Sequence, residues 1–202
     1  MAELTTRRRD LLDELVELFL AEGFQQFTLA DLAARLRCSK TTLYGLGHSK
    51  EEVTINAIRR FFRVSATQVE ARTSAARDPA ERITEYLLAV AAALRPACPA
   101  FMADLAAHPR AREVYERNTA YAAERVGELV AEGVDAGVFR EVHAAFVADT
   151  VAAAMQRIQS GRTLERTGLH DADAYEELAA LVLNGIRTAR SGAPPRARQP
   201  AP

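Results

Sequence analysis

The placement of proline constrains this chain more than any other feature. None precedes Pro79, and none lies between Pro109 and Pro194. Proline removes a backbone donor and clashes inside a helix, so both gaps leave room for long helices. Within them apolar residues recur at spacings of three and four, while alternating apolar and polar runs are scarce. The chain therefore reads as all-α. With 49% of its residues apolar it can close a sizeable core, which excludes a wholly disordered chain. No apolar run approaches the roughly 20 residues that cross a bilayer, so no membrane partner is expected. The start, "MAELTTRRRD", is basic but leads into an acidic amphipathic stretch rather than a signal-peptide core. Cys38 and Cys98 do not make a disulfide framework, and free thiols fit a reducing, cytoplasmic setting.

Caps and periodicity divide the chain. A first helix covers roughly residues 5–22, with a stripe of Leu12, Leu15, Val16 and Phe19, and Gly23 ends it. Thr28 caps a second helix, with Asp31 completing a capping box and Leu32, Ala33 and Leu36 facing inward. Ser39 caps a third, very short helix from Lys40 to Tyr44, which Gly45 and Gly47 stop. Ser49 caps a fourth, with Glu51 and Glu52 in its positive first turn and Val53, Ala57, Ile58, Phe61 and Phe62 along its inner face. Further helices are expected over residues 80–95, within "RPACPAFMADLAAHP", over 110–135 with Gly133 and Gly137 at its end, and over 143–159 and 171–191, the last two joined by "SGRTLERTG". This gives three regions: 1–55, 56–192, and a proline-rich tail, 193–202, expected to be disordered.

Two short capped helices joined by "LRCS" make a helix-turn-helix, whose second helix enters the major groove by its N-terminal end. The net charge of −1 does not announce nucleic acid, but phosphate is bound by a local patch. Lys40 and Lys50 are the only lysines of the chain; every other basic side chain is arginine. Lys40, Thr41 and Thr42 are read as facing outward, Leu43 inward. Tyr44 offers a hydroxyl to a phosphate, and Lys50 sits at a helix start that already favours an anion.

On these residues, "LFLAEGFQQFTLADLAARLRCSKTTLY" followed by "SKEE", the segment 8–55 resembles the DNA-binding domain of the TetR family of bacterial transcriptional regulators. Matching elements are Phe19 and Gly23, Thr28, the Leu32-Ala33 pair, Ser39, the Leu43-Tyr44 pair and Ser49-Lys50-Glu51. The resemblance implies a homodimeric repressor that leaves a palindromic double-stranded operator when a small molecule binds its helical C-terminal domain. It implies DNA contacts from Thr28, Arg37, Ser39, Lys40, Thr41, Thr42, Tyr44, His48 and Lys50. Three positions depart from the pattern. Arg37 stands where glycine is usual, at a cost on the order of 1 kcal/mol if its backbone is left-handed. Cys38 replaces a valine and is read as a small packer. Gly47 replaces an aromatic, which predicts a looser loop and weaker packing between the third and fourth helices.

The C-terminal half matches only in outline. The resemblance places a ligand pocket there, with Phe62, Tyr86, Val90, Phe101, Met102, Tyr115, Asn118, Tyr121, Met155 and Gln159 as candidates. Asn118 stands out because it interrupts the stripe Val114, Tyr115, Ala122, Val126, and an inward polar group needs a partner. Ordinary core packing is the competing reading for all ten. The last two helices would pair with their copies across a dimer interface, using Ala153 among small residues and Leu178, Leu181, Val182 and Ile186. "TTRRRD" is either a phosphate-binding arm or a solvated, disordered start. The four histidines lack metal-ligand spacing, no catalytic nucleophile stands out, and no cofactor is expected. Two alternatives stay open: an activator or co-repressor-dependent regulator on the same fold, and a helical enzyme or carrier with a vestigial head. The intact Thr28, Ser39, Tyr44 and Lys50 argue against the latter.

Overall fold

The computed structural model describes residues 6–187. Among these described residues ten helices follow one another: α1 (Thr6–Glu22), α2 (Leu29–Arg35), α3 (Lys40–Tyr44), α4 (Lys50–Ala75), α5 (Pro79–Leu94), α6 (Pro99–Ala107), α7 (Pro109–Asp135), α8 (Ala144–Gln159), α9 (Arg162–Thr167) and α10 (Asp171–Ile186). Among the described residues there is no strand, only an isolated bridge between Phe139 and Arg187. The all-α reading holds, and the helix boundaries follow local chemistry. Pro79, Pro99 and Pro109 each open a helix, where a missing N–H costs nothing.

The first four helices form a head with its own core. Leu15 and Phe19 from α1, Leu32 from α2, Leu43 from α3, and Val53 and Ile55 from α4 are almost fully buried together. Bidentate ion pairs pin its elements: Arg35 to Glu22, and Arg60 on α4 to Asp13 on α1. The long helix α4 runs unbroken past residue 55 and carries Phe61 and Phe62 into the C-terminal core. There α5, α7, α8 and α10 pack side by side, and α6 lies against α1 and α7.

Several expectations need correction. Thr6 to Asp10 are the first residues of α1, so the basic stretch is helical rather than a disordered start; Thr5 lies outside the described residues. Gly133 does not end α7. It sits inside the helix because the Phe139 ring packs on it, and a Cβ there would fall within that ring. Gly137, with φ +70°, makes the turn instead. "SGRTLERTG" holds the short α9 between Gly161 and Gly168, both left-handed. Helix α10 stops at Ile186 rather than 191, because Arg187 leaves it with extended backbone. The expected tail, 193–202, lies outside the described residues.

Candidate nucleic-acid interface and ligand cavity

Caps build the exposed tip formed by α2 and α3. Thr28 Oγ1 accepts from the N–H of Asp31 at 3.2 Å, and the Asp31 carboxylate accepts from the N–H of Thr28 at 2.8 Å, so the capping box is complete. Hydrogen bonds from Thr28 hold the Asp31 carboxyl below the usual range. Ser39 Oγ accepts from the N–H of Thr42 at 3.0 Å, and Ser49 Oγ from the N–H of Glu52 at 3.1 Å. Leu43 is fully buried behind the tip. Lys40 and Thr41 are exposed, and Tyr44 is 46% exposed. Thr42 is half-buried and does not simply face outward: its hydroxyl lies 2.8 Å from that of Ser39, which draws it back into the cap.

Arg37 has φ +49°, the left-handed backbone that the missing glycine implied. Cys38 is half-buried, and burial pushes its thiol up, as suits a packer rather than a thiolate. For the loop itself, the Gly47 expectation is overturned. The loop is tight, not loose: a Cβ on Gly47 would sit 2.7 Å from the Val53 nitrogen and 2.8 Å from the Glu52 carbonyl carbon. Leu46 fills the core beside it, Asn56 Nδ2 donates to the Leu46 carbonyl at 2.7 Å, and the exposed His48 donates its N–H to Glu52 at 2.7 Å. Lys50 Nζ donates to the Gln25 carbonyl at 3.0 Å, which leaves two of its three protons free. Two further basic groups join the tip. The Arg8 guanidinium lies 3.7 Å from the Cβ position of Gly45, and Arg7 is near enough to Cys38 to act on its thiol. The triple arginine was visible in the sequence; its position beside α3 was not, because that depends on how α1 crosses the head.

A second feature lies in the C-terminal half. A cavity of about 50 Å³ opens between α4, α5, α7, α8 and α10. Seven candidates line it: Phe62, Tyr86, Val90, Tyr115, Asn118, Tyr121 and Met155. Three do not. Phe101 is buried between Phe24 and Phe61, edge-on to both at 6.0 and 5.8 Å. Met102 lies in a separate surface groove beside Pro99 and Leu164. Gln159 stands outside the cavity wall and donates to the hydroxyl of Thr119. Periodicity had missed Glu70, Thr119 and Tyr175, which also line the cavity. Asn118 is half-buried, and among the described residues its amide makes no hydrogen bond within the chain. The Tyr115 and Tyr175 hydroxyls meet at 3.5 Å; burial pushes the Tyr175 phenol up to about 12 and the carboxyl of nearby Asp171 up to about 6.

Cavity and head are joined. The Asp104 carboxylate of α6 accepts from the N–H groups of Phe24 and Gln25 at 2.5 and 2.9 Å. Gly23, at φ +81°, leaves room for that carboxylate. Phe62, Phe61, Phe101 and Phe24 form a continuous row of rings from the cavity to the head.

Of the residues expected at a dimer interface, Ala153 is exposed, Leu181 is 71% exposed, and Leu178 and Val182 are half-buried. Ile186 is only 3% exposed and belongs to the core, and its carbonyl accepts from the Arg140 N–H at 3.1 Å. Phe146 on α8, 69% exposed, was not anticipated. Among the described residues no three His, Cys, Asp or Glu side chains converge as a metal site, and no single helix is long and apolar enough to cross a membrane.

No family model and no curated protein matches the sequence. Solved structures do match the fold. A TetR/AcrR-family transcriptional regulator from Thermobifida fusca is 24% identical, with TM-score 0.65 over 91% of this chain and 100% of its own. A transcriptional regulator from Cytophaga hutchinsonii is 14% identical, with TM-score 0.70 over 91% and 100%. A protein of Saccharomonospora viridis taken to be a transcriptional regulator, solved in complex with choline, is 18% identical, with TM-score 0.66 over 91% and 98%. The chain has the fold of TetR-type regulators.

Proposed function

We propose that this protein is a DNA-binding transcriptional regulator: a homodimeric repressor whose two α3 tips read a palindromic operator and leave it when a small molecule occupies the C-terminal cavity. The observation that carries this reading is the tip itself. Lys40 and Thr41 stand exposed at the start of a capped helix whose other face is locked by Leu43, with Tyr44, Arg8, His48 and Lys50 around it. Phosphate contacts by Tyr44, Arg8 and Lys50 would set the register, and Lys40 and Thr41 would meet base edges. Residues 1–55 supply the reader; 56–192 supply ligand binding and dimerisation. The exposed Phe146, Ala153 and Leu181 on α8 and α10 favour a second copy as their cover. Such a dimer would set its tips about 34–36 Å apart, one turn of B-DNA.

The route from ligand to tip runs along α4. A ligand between α4 and α7 displaces Phe61 and Phe62, and their neighbour Phe101 moves Phe24 and the turn that Asp104 holds. A ligand shifts the equilibrium only by its differential affinity for the two states, about 5.5 kcal/mol to turn 1:99 into 99:1. The choline complex of the Saccharomonospora viridis protein supports small-molecule binding on this fold.

The test is a duplex selected from a random pool and titrated with salt. A phosphate reader gives a steep log–log slope, and Lys50→Ala reduces that slope by about 1 while weakening all duplexes alike. Tyr44→Phe weakens all duplexes without changing the slope, whereas Thr41→Ala or Lys40→Ala alters sequence preference. A flat slope for the wild-type chain rules out the reader. Affinity for the selected duplex with and without ligand decides between release and co-repression.

A further inference from the structure

Both lysines of the chain lie in the head, and they are placed differently. Lys40 is exposed at the tip, whereas Lys50 is half-buried and its ammonium is tied to the Gln25 carbonyl at 3.0 Å. Gln25 is in turn tied from outside the head. Its N–H and that of Phe24 both donate to Oδ2 of Asp104, at 2.9 and 2.5 Å, and Asp104 stands on α6, 79 and 80 positions further along the chain.

We infer that Asp104 is a positioning residue for DNA binding: from α6 it holds the turn whose Gln25 carbonyl fixes the Lys50 ammonium at the phosphate-facing start of α4. This rests on the reading of the head given above, and it adds a residue outside 1–55 to the phosphate site.

Three features separate this role from plain stapling of a turn. First, the core does not need the bond to Gln25. Phe24 is 1% exposed and packs against Phe19 and Phe101, with ring centroids 5.7 and 6.0 Å away, so burial already anchors it. The Gln25 side chain is exposed, and its Nε2 reaches only the Asp104 carbonyl, at 3.5 Å. What Gln25 gives the fold is its own carbonyl, and that goes to Lys50. The N–H that Asp104 grips and the carbonyl that Lys50 grips flank one Cα, so only the two soft dihedrals of Gln25 lie between them.

Second, the turn is shaped for a carboxylate. Gly23 has φ +81°, and a Cβ there would lie 2.8 Å from the same Oδ2. A carboxylate that accepts backbone N–H groups makes charge-assisted bonds, about twice as strong as neutral ones. The cations of this corner go elsewhere: Arg110 pairs with Glu51 at 3.2 Å, and His108 Nε2 lies 3.9 Å from the same Glu51 carboxylate. The Asp104 charge is left to the turn, and the α6–α7 corner holds both Lys50 and its neighbour Glu51.

Third, a lysine gains from being held. Its long stem has more rotamer freedom to lose than most side chains, and a tethered ammonium has lost it before DNA arrives. One of its three protons goes to Gln25, and two remain for a phosphate. The Asp31 carboxyl is lowered first by its bonds from Thr28 and last by the Lys50 charge, and among the described residues it makes no ion pair with Lys50. The Gln25 carbonyl is the tether.

The test starts on the full chain without DNA. Labelling the lysine ε-carbons with 13C gives just two signals, assigned with Lys40→Arg. In the wild-type chain the Lys50 ε-carbon is expected to be the more restricted of the two on the ps–ns timescale. Asp104→Ala should raise its mobility to that of Lys40, and Asp104→Asn, which keeps a neutral acceptor in place, should fall between. A Lys50 signal as mobile as that of Lys40 in the wild type, or one that Asp104→Ala leaves unchanged, overturns the inference. Duplex binding then completes a double-mutant cycle. Asp104→Ala should weaken all duplexes alike by about tenfold when Lys50 is present and by less than about twofold in Lys50→Ala. If Asp104→Ala melts below the assay temperature, Asp104→Asn carries the cycle, with a loss of about threefold expected. Equal losses in both backgrounds, or an altered sequence preference, overturn the inference. A flat salt slope for the wild-type chain, with the Lys50 signal responding as expected, is failure of the DNA reading alone.

Discussion

In the head, Thr28, Ser39 and Ser49 each accept a backbone N–H three residues on, at 3.0 to 3.2 Å, and each opens a helix. In the C-terminal half the same position is held by Asp78, then by Cys98, His108 and His143, whose sulfur and ring nitrogens accept at 3.3 to 3.4 Å. The two regions also differ inside. The head closes its core with fully buried Leu15, Leu32, Leu43 and Val53. The C-terminal helices leave a cavity among aromatic rings. Interiors normally pack to crystal density, so a space kept open in one region and not the other marks where the molecule is built to yield. Polar caps and a filled core stiffen the head, whereas three of the C-terminal caps are long and the interior behind them is unfilled.

The largest test of this comparison is Gly133→Ala. The new methyl displaces the buried Phe139 ring from α7, and the loss should be about 3 kcal/mol in urea unfolding, the upper end for an overpacked core. A near-neutral result would mean that the C-terminal corner already yields freely. Next comes Gly47→Ala, where the methyl meets α4 backbone rather than a movable side chain. About 1–3 kcal/mol should be lost, together with duplex binding, because α3 and α4 must part. Tolerance there would show that the head is less rigid than its caps suggest.

Asp171 gives a pH-dependent contrast. Burial raises its carboxyl to about 6, so the fold favours the protonated form. That stabilisation is complete below about pH 4, the unfolded value, and is lost as pH rises through about 6. Asp171→Asn should therefore raise the melting temperature by about 2 °C near pH 8 and leave it unchanged near pH 4. In the head the Asp31 carboxyl moves the other way, lowered by its hydrogen bonds from Thr28. The smallest effect is Arg37→Gly. Relief of the left-handed backbone is partly offset by the entropy of glycine in the unfolded chain, leaving a gain of about 0.5 kcal/mol.

The head was legible because its signals are short-range. Thr28 with Asp31, Ser39 with Thr42 and Ser49 with Glu52 each span three residues, and Arg37 declared its backbone by standing in a turn. Even here one contact beyond a single turn was misread: Gly47 looked like slack and is a close approach to Glu52 and Val53 at the start of α4. In the C-terminal half, helical spacing found Tyr86, Tyr115 and Met155, whose inner faces follow from period alone. It also chose Phe101 and Met102, which share that pattern but point to other neighbours. It missed Glu70 and Tyr175, because which residues of α4 and α10 face the same cavity leaves no mark on either segment.

The sequence by itself determined the helical class, the order of the helices, the three polar caps of the head and the short capped helix α3. Each of these depends on backbone donors and side chains within one turn of each other. Only the tertiary structure decided that four tyrosines and Glu70 share one space, that Arg8 stands beside α3, and that Asp104 grips the turn after α1. These arrangements bring together residues up to 105 positions apart, such as Glu70 and Tyr175 in one lining, and their geometry is set by how whole helices cross, which no local pattern encodes.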